Sequence, residues 1–157
     1  MPVDVRTEIV IERPRAEVAS FVADPTNATA WYENISSVRP MYSGTLAVGS
    51  RAEFVAKFLG RRLAYAYEVR EFVEGERLVM STAEGAFPME TTYTWEDTET
   101  GATRMTLRNR GNPAGFSKIA APMMQAAMRR ANRKDLERLR AIFELGLYVN
   151  GEPGEPP

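Results

Sequence analysis

The chain has 157 residues, 44% of them hydrophobic and 26% charged, a composition expected of one globular domain with a sizeable core. Lys and Arg number 20 against 21 Asp and Glu, so no global basic surplus points to nucleic acid. Cysteine and histidine are both absent, which excludes disulfide frameworks, Ser-His-Asp and Cys-His catalysis, and the usual zinc ligand sets.

Val3, Val5, Thr7, Ile9 and Ile11 alternate with Asp4, Arg6, Glu8 and Glu12, which predicts a half-buried strand. Arg13-Pro14 ends it and opens a short helix over 15–22, with Val18, Phe21 and Val22 on one face. Asp24-Pro25 stops that helix and caps a second one running to about Glu33, on which Trp31 is either a core anchor or part of a pocket wall. Six strands follow. The first covers about 37–42. The second places Ala52, Phe54, Ala56 and Phe58 on one face, and Gly60-Arg61 turns the chain. The third puts Leu63, Tyr65, Tyr67 and Val69 on one face, and the fourth carries Leu78, Met80 and Thr82. Beyond the 85–88 connection, Met89, Thr91, Tyr93 and Trp95 share a face of the fifth, and Thr103, Met105, Leu107 and Asn109 a face of the sixth.

A long helix closes the pattern, starting at Asn112-Pro113, kinked at Pro122 and running to Leu147. Met124, Met128, Leu136, Leu139, Ile142 and Phe143 form its apolar stripe, interrupted by the polar Asn132 and Asp135. Residues 129–140 carry six basic side chains and two acidic ones, while 74–99 carry seven acidic ones and only Arg77; both read as solvated faces. Residues 148–157, rich in Gly and Pro, are expected to be a disordered tail after a single domain over 1–147. No apolar run reaches membrane-spanning length and the first residues carry no signal core, so the expected location is cytoplasmic. The glycosylation-type triplets at Asn27 and Asn34 are then chance matches.

Strands segregated from helices define an α+β class: a curved antiparallel sheet of about seven strands, the first joining at an edge, wrapped around the C-terminal helix. The matching residues are Ile11-Glu12-Arg13-Pro14, Ala16-Glu17-Val18, Val22-Ala23-Asp24-Pro25 with Trp31, Val48-Gly49-Ser50, Gly60-Arg61, Tyr67-Glu68-Val69, Thr92-Tyr93-Thr94-Trp95, Gly101-Ala102-Thr103 and Asp135-Leu136-Glu137-Arg138-Leu139. In this order they resemble the helix-grip superfamily called SRPBCC, START-like or Bet v 1-like, and within it the bacterial polyketide cyclase/dehydrase group. The resemblance covers about residues 3–145. Its motifs are structural punctuation and none is catalytic. It implies a deep apolar cavity between sheet and long helix that holds lipids, polyketides or other hydrophobic molecules. Members include cyclases, hydrolases, carriers, hormone receptors and cochaperone-like proteins, so fold alone leaves function open.

The candidate ligand-binding residues are Phe54, Phe58, Tyr65, Tyr67, Met80, Met89, Thr91, Tyr93, Met105, Leu107, Asn109, Met124 and Met128. At these spacings they either fill a core or line a cavity, and the resemblance favours the cavity. Methionine suits an adaptable lining, and Asn132 or Asp135 either orients a ligand or satisfies backbone groups. The opening is expected where residues 111–115 face 85–88, with Phe87 and Phe116 as lids. The leading function is binding of a hydrophobic small molecule. The alternatives are a cyclase/aromatase-like or hydrolase-like enzyme using Tyr, Asn and Asp groups there, and a protein-interaction module, activator or toxin-like, using the basic helix face. No catalytic constellation is evident, no nucleic acid partner or cofactor is expected, and a homodimer stays open. With no His, Cys or inward carboxylate cluster, no metal site is expected either. Ligand binding should therefore survive exhaustive chelation; loss on chelation with recovery on adding a divalent ion overturns this reading.

Overall fold

The first strand sets the face that the rest of the sheet follows. In β1 (Val3–Ile11) every odd residue is buried and every even one exposed, so one side of the strand is committed to the core. The computed structural model describes residues 3–84, 88–112, 120–146, 148–149 and 152–153. Pro14 leads into α1 (Arg15–Ala23), which buries Val18, Ala19, Phe21 and Val22. The Asp24 side chain accepts the Thr26 N–H at 3.0 Å and opens a 3-10 turn, Pro25–Asn27, that continues into α2 (Ala28–Trp31). This helix stops short of the expected Glu33. The Glu33 N–H instead donates to Asp135 Oδ1 on the long helix at 3.1 Å.

The meander comprises β2 (Ile35–Pro40), β3 (Arg51–Phe58), β4 (Arg61–Val73), β5 (Arg77–Glu84), β6 (Met89–Asp97) and β7 (Thr103–Gly111). Its order is β1-β7-β6-β5-β4-β3-β2, antiparallel throughout, so β1 closes on β7 and the edges are β1 and β2. The β3–β4 turn is Leu59-Gly60, one residue before the expected Gly60-Arg61. Phe58 pairs with Arg61, and both turn residues have positive φ, 50° and 79°. That is the backbone a two-residue hairpin needs, and it is uncommon for leucine. A register shift between Val69 and Glu71 changes the phase of β4, so that both Val69 and Phe72 reach the core. On the outer face, ion pairs link the strands, among them Arg108 with Asp4 and Arg110 with Glu90. Edge strand β2 is only six residues long, carries a register shift between Ile35 and Ser37, and ends in Pro40. At the other edge the Asp4 N–H donates to Gln125 Oε1 of the long helix at 3.3 Å.

That helix, α3, spans Ala121–Glu144. The sequence reading starts it at Asn112 and kinks it at Pro122; both points are corrected. Ala120 is extended, and Pro122 lies in the first turn, where its missing N–H costs nothing. Asn112 is outside the helix and donates its N–H to the Pro88 carbonyl at 2.9 Å; residues 113–119 lie outside the described residues. The apolar stripe has the expected phase, with Met124, Leu136, Leu139, Ile142 and Phe143 buried together with Asn132 and Asp135. Its C-terminal half packs with α1, Trp31 and strands β1, β5, β6 and β7 into the main core, where Phe21 meets Phe143 edge-on at 5.4 Å. Within the tail expected to lack structure, Tyr148–Val149 (β8) pairs antiparallel with Glu152–Pro153 (β9). No helix among the described residues is long and apolar enough to cross a membrane.

Leu139 is fully buried at the centre of this seam and Arg133 is exposed. Leu139→Asp is expected to unfold or aggregate the chain, because it buries an unpaired charge. Arg133→Asp, the same charge on the outer face, should change stability by less than about 0.5 kcal/mol. Chemical denaturation of the two variants checks the helical phase, which is wrong if they unfold alike.

Candidate functional site

Alternation on the strands and the i, i+4 spacing on α3 bring two surfaces face to face. Where the N-terminal half of α3 stands over β3–β7, they do not meet completely, and a cavity of about 160 Å³ remains. Phe54, Ala56 and Phe58 line it from β3, Leu63, Tyr65 and Tyr67 from β4, and Met80 and Thr82 from β5. Met89, Thr91 and Tyr93 of β6 and Asn109 of β7 continue the wall. Met124, Met128, Ala131, Asn132 and Asp135 of α3 form the opposite side, and Tyr32, Asn34 and Ile35 close one end.

Of the residues singled out from sequence, Met105 and Leu107 are not brought to this cavity. Both are fully buried in the main core, further along the face of β7 that also carries Asn109. Trp31, for which two readings stood open, lies in the core as well. Asp135 fits both readings at once, since it lines the cavity while one oxygen accepts the Glu33 N–H. Ala56, Leu63 and Thr82 share strand faces already recognised. Tyr32, Asn34 and Ile35 follow α2, where no periodicity signals them. At the expected opening, Asn112 and Pro88 are bonded, and the Gly111 backbone is so close that a Cβ there would lie 2.2 Å from the Pro88 oxygen. Phe87 and Phe116, the expected lids, lie outside the described residues.

The polar groups of the wall are largely committed to one another. Thr91 donates its hydroxyl hydrogen to Asn109 Oδ1 at 2.6 Å. A hydroxyl has one hydrogen, so in the 2.9 Å contact between Tyr67 and Thr91 it is Tyr67 that donates. Tyr32 and Tyr93 share a hydrogen bond of 2.6 Å. Phe54 stacks on Tyr65 with ring centroids 5.5 Å apart. Burial pushes the Tyr67 phenol up to about 12, and lifts those of Tyr32, Tyr65 and Tyr93 well above the ordinary range. These phenols are neutral hydrogen-bonding groups at any physiological pH.

Asp135 differs. Burial raises its carboxyl to about 6, the Glu33 N–H pulls it down, the Glu33 charge raises it, and Arg138 lowers it. Among the described residues of the lining it is the group placed to change charge near neutrality. The Asn132 side chain, 6% exposed, leaves Nδ2 buried without a hydrogen-bond partner. The other two buried side-chain nitrogens without partners among the described residues are the indole N–H groups of Trp31 and Trp95, and neither tryptophan lines this cavity.

A curled antiparallel sheet gripping one long helix, with an apolar cavity beneath the helix, defines a helix-grip protein. The chain belongs to the family described as polyketide cyclase/dehydrase and lipid transport, whose model matches residues 2–144. No curated protein matches the sequence. Among solved structures, a START superfamily protein from Mycobacterium smegmatis is 13% identical with a TM-score of 0.77, covering 90% of this chain and 97% of its own. The Zhui aromatase/cyclase from Streptomyces sp. R1128 is 13% identical with a TM-score of 0.76, covering 97% and 99%. Major latex-like protein 151 from Panax ginseng, also 13% identical, has a TM-score of 0.70 and covers 90% and 97%. At these identities the likeness is one of fold.

Folding favours the protonated form of Asp135, because the folded-state value of about 6 lies above the ordinary 3.8. Its contribution to stability is therefore full below about pH 3.8 and is lost as pH rises through about 6. Asp135→Asn keeps an acceptor for the Glu33 N–H and removes the charge. Urea denaturation should find the variant about 2–3 kcal/mol more stable than the native chain at pH 7.5, with most of the gap closed at pH 4. A gap that does not change with pH contradicts this environment.

Proposed function

We propose that the chain binds a hydrophobic small molecule in the cavity between the sheet and the N-terminal half of α3. The observation that carries this reading is the cavity itself. It is a largely apolar space at one end of the core, walled by four methionines and by aromatic rings, with tyrosine, threonine, asparagine and aspartate groups set among them. The family description, which joins polyketide chemistry to lipid transport, supports the same class of ligand. A ligand burying about 150 Å² of apolar surface gains roughly 4 kcal/mol at ~25 cal/mol per Å². Lost translational freedom offsets part of that, so apolar burial alone gives an affinity of about millimolar or weaker, and tighter binding requires polar contacts. A cyclase-like reaction in the same cavity is the second reading, favoured by Asp135, whose carboxyl is poised near neutrality against the lining. It requires Asp135→Asn to abolish turnover of a polyketide-like substrate while leaving its binding intact.

Ligand entry is expected to alter tryptophan fluorescence. The Trp31 ring centroid lies 3.9 Å from that of Tyr32, and the Tyr93 centroid lies 6.0 Å from that of Trp31 and 6.1 Å from that of Trp95, so rings of the cavity wall pack against both indoles. Titration with small aromatics, fatty acids and sterols should give a saturable change for at least one class. Ala131→Phe, which fills the cavity from α3, should weaken that response at least tenfold while the melting temperature holds. If no compound changes the native signal, and native mass spectrometry finds no co-purifying molecule, the cavity is a packing defect and the proposal fails.

A further inference from the structure

We infer that the end of the molecule formed by the β3–β4 hairpin and one flank of the N-terminal half of α3 docks on an anionic lipid bilayer. In this arrangement Leu59 and Met123 enter the acyl boundary, and the basic side chains around them meet the headgroups. Docking of this kind needs no cavity ligand, and neither Leu59 nor Met123 lines the cavity. Leu59 is the first sign. It forms the hairpin tip with Gly60, is 48% exposed and has a φ of 50°. A leucine gains nothing by burial there, and it occupies a backbone region that favours glycine or asparagine. Among the described residues it is the one non-glycine with positive φ. Around it Lys57, Arg61 and Arg62 are exposed, and residues 57–62 hold no acid.

The long helix supplies the second half of this surface. Its inner face carries Met124 and Met128, which pack with Phe58 and Leu63 of the hairpin strands. Gln125 marks the flank turned toward β1, where it takes the Asp4 N–H, and Arg129 lies on that flank beside Arg6. At about 100° per residue, Met123, Ala127, Arg130 and Lys134 fall on the opposite flank. That flank is turned toward the β3–β4 side of the sheet, because β1 is the far edge. Met123 is 68% exposed, Arg130 and Lys134 are exposed, and residues 121–134 hold four cations and no acid. Several exposed cations of the sheet are paired, as Arg51 is with Glu68 and Arg110 with Glu90. Lys57, Arg62, Arg130 and Lys134 form no ion pair among the described residues. One acid, the exposed Glu33, stands nearby, since the Lys57 N–H donates to the adjoining Asn34 carbonyl at 2.8 Å. The whole chain carries a net charge of -1, so this positive end is a local feature. A soluble polyanion satisfies the cations and offers nothing to Leu59 and Met123, whereas a bilayer with anionic headgroups satisfies both.

Flotation of the full chain with vesicles tests this docking, using phosphatidylcholine alone and phosphatidylcholine mixed with phosphatidylglycerol. The chain should bind the mixed vesicles and not the neutral ones, and most of that binding should be lost in high salt. Leu59→Gly suits the positive φ, so the melting temperature should hold while partitioning to the mixed vesicles falls about tenfold. Arg62→Glu with Arg130→Glu should weaken partitioning by at least about thirtyfold. Arg104→Glu with Arg140→Glu makes the same charge change toward the other ends of β7 and α3, and should weaken it no more than about threefold. If the native chain leaves the mixed vesicles unbound, or the two double reversals weaken binding alike, the inference falls. If Leu59→Gly changes nothing and heparin displaces the vesicles, the face is a general polyanion site and the inference falls as well. None of the substituted residues lines the cavity, so the small-molecule reading stands or falls on its own titrations.

Discussion

One helix cannot fill the concave face of a seven-stranded sheet. A helix with its side chains is about 10–12 Å across, whereas seven strands at ~4.8 Å spacing span about three times that width. The rest of the structure is a response to this mismatch. At the C-terminal half of α3 the deficit is met by α1, α2 and Trp31, and Leu136, Leu139, Ile142 and Phe143 find a continuous core. At its N-terminal half Met124 and Met128 face β3–β7 without such help among the described residues, and the unfilled width becomes the cavity. The two short helices after β1 therefore decide where the interior is solid and where it is open.

The same division explains what could be read from the chain and what could not. Strict alternation placed Tyr65, Tyr67, Thr91, Tyr93 and Asn109 on the inner face, because period two follows from strand geometry alone. It could not separate Met105 and Leu107 from Asn109, since all three share that face of β7. Their difference is position along the strand, set by which half of a distant helix passes above. The helix phase was readable for the same local reason, but its start was not. Asn112-Pro113 and Pro122 both satisfy the chemistry of a helix opening, and only the meeting of Asn112 with Pro88 separates them. Tyr32 and Asn34 escaped because they lie in an irregular stretch fixed by tertiary bonds, Tyr32 to Tyr93, Glu33 to Asp135 and Lys57 to Asn34.

The cavity wall divides its polar groups into those already satisfied and those that are not. Tyr67, Thr91 and Asn109 form a relay with a determined direction of donation, and Tyr32 with Tyr93 forms a second unit. With the phenols held neutral by burial, these groups add shape and dipoles and no net charge. Asn132 and Asp135, on adjacent turns of α3, are the asymmetric part, one a donor without a partner and the other a partly occupied acceptor. A sheet wall of neutral groups and a helix wall that carries the Asp135 carboxyl give the cavity an orientation.

The two edges of the sheet carry a separate consequence. An open strand edge offers a row of backbone donors and acceptors to any other chain in extended conformation, and long flat edges are where β-proteins polymerise. Here β2 is short, breaks register between Ile35 and Ser37, and ends in a proline that has no N–H to give. At the other edge Gln125 of α3 takes the Asp4 N–H, so the helix that roofs the cavity also occupies part of the β1 rim. A fold that leaves empty space inside, and so forgoes some of its packing energy, thus keeps its borders poor templates for strand addition. Partial loosening around the cavity does not by itself expose an aggregation-competent edge.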